Sequence, residues 1–233
     1  MKRIVEIKAA EGGDDSKLFV KELTTAFLKL AYRHTWKASI IHERPSKLGY
    51  HEIKIEIEGK NLKGLDNEKG GHRIQRVPPT EKGSRVHTST VTVAVIDTNI
   101  SVNPKYQLRD KEHFYVEWFS GSGAGGQHRN KHQNCCRLYH LPTGLVETRQ
   151  GRSRDSNHRE AMSALIQRLD AGESKEIATD VSQDRKAQVG CGARGDKSIT
   201  IRFQDDVAVN HLTEKKMSAK KYMKGFMDEI WIT

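Results

Sequence analysis

With 233 residues, 35% hydrophobic and 30% charged, the chain is long enough for two ordinary domains and apolar enough for modest cores. No run approaches the roughly 18 apolar residues of a membrane span, and Met1-Lys-Arg-Ile-Val-Glu-Ile7 enters strand-like sequence directly, with no secretory or transit pattern. Forty Lys and Arg against thirty Asp and Glu give a net charge of +10, the footprint of a protein with a polyanionic partner; three cysteines point to reduced thiols in a cytoplasmic protein.

Arg3 to Ala9 reads as a strand, and Glu11-Gly-Gly-Asp-Asp15 as a turn in which either Asp can cap the helix that follows. Phe19, Leu23, Phe27 and Leu30 recur at helical spacing and predict an amphipathic helix over 15–33. Lys37 to His42 is a further strand. Ile53, Ile55 and Ile57 alternate with charged residues, as Val91, Val93 and Val95 alternate with Thr90, Thr92 and Ala94, so both are half-buried strands. A helix on an antiparallel sheet is an α+β layer. Gly70-Gly71 breaks the pattern, and 72–88 reads as neither helix nor strand. Its Pro78-Pro79 stiffens a loop that presents Gln75, Thr80, His87 and Thr88, groups that can bond base edges or stack on a base, as single-stranded RNA recognition requires.

Asp97 to Asp110 reads as a linker. Phe114 to Phe119 is a strand, and Cys136 to Val146 a strand–turn–strand about Pro142-Thr-Gly144. Ser156 or Asn157 caps a helix striped by Met162, Leu165, Ile166 and Leu169, and Gly172 ends it. Glu173 to Arg185 is polar and weakly helical. Gly190-Cys-Gly192 and Gly195 mark turns, Ile199, Ile201 and Phe203 a strand, and Tyr222 or Met223, Phe226 and Ile230 a last helix.

The chain is organised around Gly121-Ser-Gly-Ala-Gly-Gly-Gln127, four glycines in six residues followed by one amide side chain. Glycines admit backbone conformations and close approaches that other residues refuse, so the run delivers a main chain and one Gln into a confined space. Between Gly121 and Arg159 lie seven Lys and Arg against two Asp and Glu. Gly121, Gly123 and Gly126 also match a dinucleotide fingerprint, but that motif demands an apolar helix opening on the last glycine, and eight polar residues follow here. His128, His132, Cys135, Cys136 and His140 cluster without zinc-ligand spacing, so no metal is expected. No nucleophile elbow and no paired carboxylates accompany the loop. A backbone N–H beside the glycines can donate to an oxyanion as water attacks an ester, with Gln127 shaping the space and a partner supplying the base.

Ser122-Gly-Ala-Gly-Gly-Gln-His128, Asn130-Lys131, Arg137, His140-Leu-Pro-Thr-Gly-Leu-Val146 and Arg152-Ser153 closely resemble the peptidyl-tRNA hydrolysis domain of bacterial class I release factors. Val5-Glu-Ile7, Gly12-Gly-Asp14, Gly71-His-Arg-Ile-Gln-Arg-Val-Pro78, Arg85-Val-His-Thr-Ser89 and Thr92-Val-Ala-Val95 resemble the family's codon-recognition domain, and Lys186-Ala-Gln-Val-Gly190 its switch loop. The resemblance covers about residues 3–230. It implies an α+β fold: a codon-recognition α/β sandwich from 1–103 and 188–233, with an α+β Gly-Gly-Gln domain, 104–187, inserted.

The same resemblance implies roles. Gly125, Gly126 and Gln127 would enter the peptidyl transferase centre, where the Gln127 main-chain amide stabilises the transition state; Gln127 would also be a target of a glutamine methyltransferase, giving N5-methylglutamine. Pro78-Pro79-Thr80 matches the P-x-T tripeptide of the UAA- and UAG-reading type. Thr80 would contact the second base, His87 stack, Gln75 with Thr88 read the third, and the backbone around Gly12 and Asp15 the first. His128, Arg129, Lys131, Arg137 and Arg152 would meet ribosomal or transfer RNA. The implied partners are the ribosome through 16S and 23S rRNA, the mRNA stop codon and P-site peptidyl-tRNA. A cytoplasmic monomer without cofactor or membrane contact is expected, promoting hydrolysis only on the ribosome rather than as a free-standing enzyme.

No stretch corresponds to the family's N-terminal helical domain. Arg129, His132 and Asn134 replace small or neutral residues after the Gln, and Arg154 stands where the family has Gln. A ribosome-rescue factor with no stop-codon reading has the same chemistry and is the alternative. An RNA-binding module without hydrolysis is a third.

Overall fold

The computed structural model describes residues 1–98, 103–122, 126–189, 195 and 197–232. They form two compact units, Met1–Asn99 with Val181–Thr233, and Ile100–Asp180.

In the first unit β1 (Lys2–Ala9) leads to α1 (Gly13–Arg33), then β2 (Lys37–Pro45), β3 (Tyr50–Glu58), β4 (Gly70–Arg76) and β5 (His87–Asp97). Phe19, Leu23, Phe27 and Leu30 of α1 are completely buried against Val5, Ile7, Ile53, Ile55, Ile57, Val91 and Val93. Each such side chain contributes about 1.5–3 kcal/mol, so this stripe carries the helix. Neither expected Asp caps it. Gly12 holds the cap position, and Asp14 and Asp15 lie in the first turn, where their charge suits the helix dipole.

Gly70–Arg76 is a strand, which corrects the expectation of a loop. His72, Ile74 and Arg76 occupy one buried face in strict alternation, but two of the three are polar and hide the pattern. They are buried because acceptors await them. His72 Nε2 donates to Glu68 at 3.0 Å and Arg76 Nε to Asp15 at 2.8 Å.

In the second unit Asn103 caps the helical turn α2 (Pro104–Gln107), where a linker was expected; its side chain accepts the Lys105 N–H at 3.1 Å. Then come β6 (Phe114–Phe119), α3 (Gln127–Lys131), β7 (Cys135–His140), β8 (Leu145–Arg149) and α4 (Arg154–Val189). β6, β7 and β8 make an antiparallel sheet in that order. Cys136, Leu138, Ala161 and Leu165 form its core with Phe114, Val116, Trp118, Leu145 and Met162. Gly172 does not end the helix. A Cβ there would lie 2.6 Å from the Tyr106 ring, so this glycine makes room for an aromatic side chain, and the polar stretch beyond continues as helix.

The last turns of α4, from Val181, belong to the first unit. Arg185 pairs with Glu6 at 2.9 Å, and the Gln188 amide exchanges two hydrogen bonds with the Val95 main chain, at 2.8 and 3.0 Å, beyond the end of the β4 pairing. Lys186–Val189, expected in a switch loop, are thus helical; Gly190, Cys191 and Gly192 lie outside the described residues, and Gly195 sits in a turn. β9 (Ile199–Arg202), β10 (Val207–Asn210) and β11 (Lys216–Met217) complete a sheet of order β11-β10-β9-β4-β5-β1-β3-β2, antiparallel except for β4 with β9. The expected final helix is broken. α5 (Ala219–Lys221) passes into short turns over Tyr222–Phe226 and Met227–Ile230, with Gly225 at φ 85 inside the first.

A polar knot joins this end to the core. Buried Glu68 accepts from Trp231 Nε1 at 2.6 Å, from the Tyr222 hydroxyl and from His72. Burial, and then the Glu68 carboxylate, push the Tyr222 hydroxyl well above its ordinary pKa.

Candidate functional site

The glycine tip extends from the end of β6. Gly121 is buried and Ser122 exposed; Gly125 lies outside the described residues. Gly126 has φ 81 and ψ 172, a left-handed conformation that a side chain would strain, and caps α3. Gln127 is therefore the first residue of a helical turn, and it is exposed. An amide at that position has no carbonyl one turn earlier to accept it. From Gly121 to Asn134 the sequence holds no carboxylate; it offers donors, positive charge and the imidazoles of His128 and His132.

The framework behind the tip is tied by one residue that spacing did not single out for this task. Asn157 is buried; its Oδ1 accepts the Gly151 N–H at 2.8 Å, and its Nδ2 donates to the carbonyls of Asn134 and Gly151. Asn134 Nδ2 in turn donates to the Arg152 carbonyl at 3.1 Å. Two loops flanking the tip are thereby fixed to α4. A short-range capping pattern suggested only that Asn157 starts the helix.

Of the expected RNA-facing residues, Lys131 and Arg152 are exposed, and nothing is described of the His128 and Arg129 side chains. Arg137 is half committed elsewhere: it opposes Glu117 across β6 and β7, pairs with it at 3.0 Å and lies over the Phe119 ring. His140 is structural. Its Nε2–H donates to the Leu108 carbonyl and its Nδ1 accepts from Thr143, both at 2.7 Å. Cys135 and Cys136 are free and buried, and burial pushes the Cys136 thiol up. Among the described residues no three His, Cys, Asp or Glu converge as a metal site, and no helix is long and apolar enough to cross a membrane.

In the first unit, a depression of about 440 Å³ is lined by Gly12, Gly13, His87, Thr88 and Ser89. Gln75 and Thr88 face each other across β4 and β5, on the side of the sheet away from α1, since Ile74 and Ser89 point to the helix. Asp15 lies behind that lining and holds Ser89. Its carboxylate accepts from Ser89 Oγ at 2.9 Å and from Arg76, which also reaches Glu22 at 2.7 Å. Burial works to lower the Arg76 guanidinium, but the bonds to Glu22 and Asp15 outweigh it and hold the group above its usual value. A Cβ on Gly12 would collide with Ser89 at 2.4 Å, so only glycine permits this approach.

Pro78, Pro79 and Thr80 sit in the β4–β5 loop, outside that lining; Pro78 is buried while Pro79 and Thr80 are exposed. His87 Nε2 donates to Glu81 at 2.8 Å, and the Gly83 N–H donates to the same carboxylate. The Gly83 amide holds Glu81 below the usual carboxylate range against desolvation, helped by His87 and Arg85. Asp15's supports Arg76 and Ser89, and Glu81 beside His87, were not anticipated.

Two family descriptions match the chain, the PCRF domain over residues 1–93 and the RF-1 domain over residues 89–212. Among curated relatives, a peptide chain release factor 1 from Albidiferax ferrireducens is 40% identical over 97% of this chain and 62% of its own length. Another, from Verminephrobacter eiseniae, is 41% identical over 89% of this chain and 58% of its own. The chain thus spans about three fifths of these relatives. The solved structure of RF2 of Thermus thermophilus superposes with a TM-score of 0.56 at 25% identity, covering 99% of this chain and 66% of that one. The RF-1 domain alone accounts for more than half of the sequence, and the chain belongs to the peptide chain release factor family.

Proposed function

We propose that the chain acts in translation termination, reading UAA and UAG in the ribosomal A site and triggering hydrolysis of the peptidyl-tRNA ester. The observation that carries this is the tip: Gly126 in a left-handed conformation presents Gln127 as an exposed first helical residue, in a segment with no carboxylate, inside a matched RF-1 domain. Water attacking the ester carbonyl develops an oxyanion, and a main-chain N–H already fixed in place donates to it without reorganisation. Gly125, Gly126 and Gln127 would occupy the peptidyl transferase centre, which supplies the rest of the chemistry, so the protein is no enzyme off the ribosome. N5-methylation would fall on Gln127.

The codon would be read by the other unit. The backbone around Gly12 and Asp15 would read the first base, Thr80 would contact the second, His87 would stack, and Gln75 with Thr88 would read the third. Partners would be both ribosomal RNAs, mRNA and P-site tRNA, with His128, Arg129, Lys131, Arg137 and Arg152 as contacts, for a cytoplasmic monomer. The functional division would be 1–103 with 188–233 for codon recognition and 104–187 for hydrolysis.

The test is peptide release from ribosomes carrying formyl-methionyl-tRNA with UAA, UAG, UGA, a sense codon or an empty A site. Release on UAA and UAG alone is expected. Release regardless of codon would replace this reading with ribosome rescue, and no release on any complex would leave an RNA-binding module.

A further inference from the structure

A second basic feature of the hydrolysis unit, between the end of β6 and the start of α4, belongs to none of the roles above. Trp118, near the end of β6, packs one side of its indole against the core of the unit. The Arg154 guanidinium carbon lies 4.0 Å over the ring, and the His158 ring lies 6.1 Å away at 29°, an offset stack. With Arg159 and Asp155 these residues line an open depression of about 580 Å³. Arg154 and Arg159 are exposed, and Asp155 is the one carboxylate of the lining.

We propose that Trp118, Arg154 and His158 form a stacking site for an unpaired RNA nucleotide, with Arg159 at its rim for the phosphate. Single-stranded RNA is held by π-faces or guanidinium planes for the bases and by cations for the backbone. Here both are prepaid in one place: the indole fixes the guanidinium above it, so a base continues the stack on a cation that is already ordered. An acidic peptide would use the charges but has no use for the aromatic stack. Arg154 also begins a long helix, and the dipole of that helix favours a nearby phosphate.

Binding is measured on the full chain with a fluorescein-labelled ten-uridine RNA at low salt, following both anisotropy and tryptophan emission. Release activity is not involved, so failure here leaves the termination reading standing, and failure of termination leaves this site standing. The expected result is saturable binding with quenched tryptophan emission. Arg154→Gln should weaken binding about tenfold, whereas Arg44→Gln, on the exposed strand β2, should change it less than about twofold. Trp118→Phe keeps a ring in the core and should abolish most of the quench, separating stacking from folding. Equal losses for the two arginine variants, a quench that survives Trp118→Phe, or no binding would overturn the proposal. Competition by polyglutamate as effective as that by RNA would reassign the face to an acidic protein.

Discussion

Asp15 and Arg76 stand 61 positions apart and meet in a buried pair, Nε to Oδ1 at 2.8 Å, that joins the start of α1 to the end of β4. The same carboxylate accepts from Ser89, which lines the depression at Gly12, while the second arm of the guanidinium engages Glu22. Arg76→Ala strips a buried carboxylate of its cation and should cost about 3–5 kcal/mol in urea unfolding. Arg76→Lys cannot reach both acceptors with a planar fork. We expect it to fold with a smaller loss and to raise KM for stop-codon ribosomes with kcat little changed, because its effect falls on binding geometry.

The main-chain amide of Gln127 can be separated from its side chain. Proline is tolerated as the first residue of a helix and lacks only the N–H there, and the extended ψ of Gly126, 172°, suits a following proline. Gln127→Pro should therefore leave circular dichroism and ribosome binding intact yet slow peptide release about 100- to 1000-fold. Gln127→Ala keeps the N–H and should retain much more activity. Equal defects in both would place the work on the side chain.

Glu81 ties His87 inside the loop expected to meet the codon. Folding lowers the Glu81 carboxyl, so its charged contact is complete above the usual glutamate range and is lost only as pH falls through the lowered value. At neutral pH the His87 ring thus remains held. A carboxyl-carbon NMR titration should place the Glu81 midpoint below that of a free glutamate, and Glu81→Ala, which removes the acceptor, should narrow the His87 ring resonances by freeing the ring. A Glu81 midpoint above the free value would show that the contact is absent in solution.

The Glu68 knot is the main polar investment of the core. Tyr222→Phe removes one of three donors and should cost about 1–2 kcal/mol; Glu68→Ala leaves Tyr222, Trp231 and His72 with unpaired buried groups and should cost about 3 kcal/mol or more. Urea denaturation of each variant checks the order.

Apolar periodicity made α1, β3, β5 and β9 legible, because each places Ile, Val, Phe or Leu at regular spacing on a buried face. It failed at β4, where the buried face carries the polar His72 and Arg76; His72 is held by Glu68 four positions away, and Arg76 by Asp15, 61 positions away and outside any local window. The tip was legible because glycine runs have few uses. Its support by Asn157, and the tie of Glu81 to His87, depend on which loops meet in space. Gly225 hid the break in the final helix, since one glycine among Tyr222, Phe226 and Ile230 leaves the helical spacing intact.

Gly172 makes the same point in a form that can be measured. Read locally, a glycine after Leu169 ends a helix, and replacing it with alanine inside a helix should gain about 1 kcal/mol. In the structure α4 runs through it, and the new Cβ would fall 2.6 Å from Tyr106 Cε1. The ring must move or the helix must shift, so Gly172→Ala alone should be neutral to destabilising. With Tyr106→Ala the space opens, and Gly172→Ala added to that background should stabilise by about 1 kcal/mol. The coupling between the two positions in a double-mutant cycle, read by thermal melting, therefore reports the contact itself; additive effects would mean that the ring does not rest on Gly172.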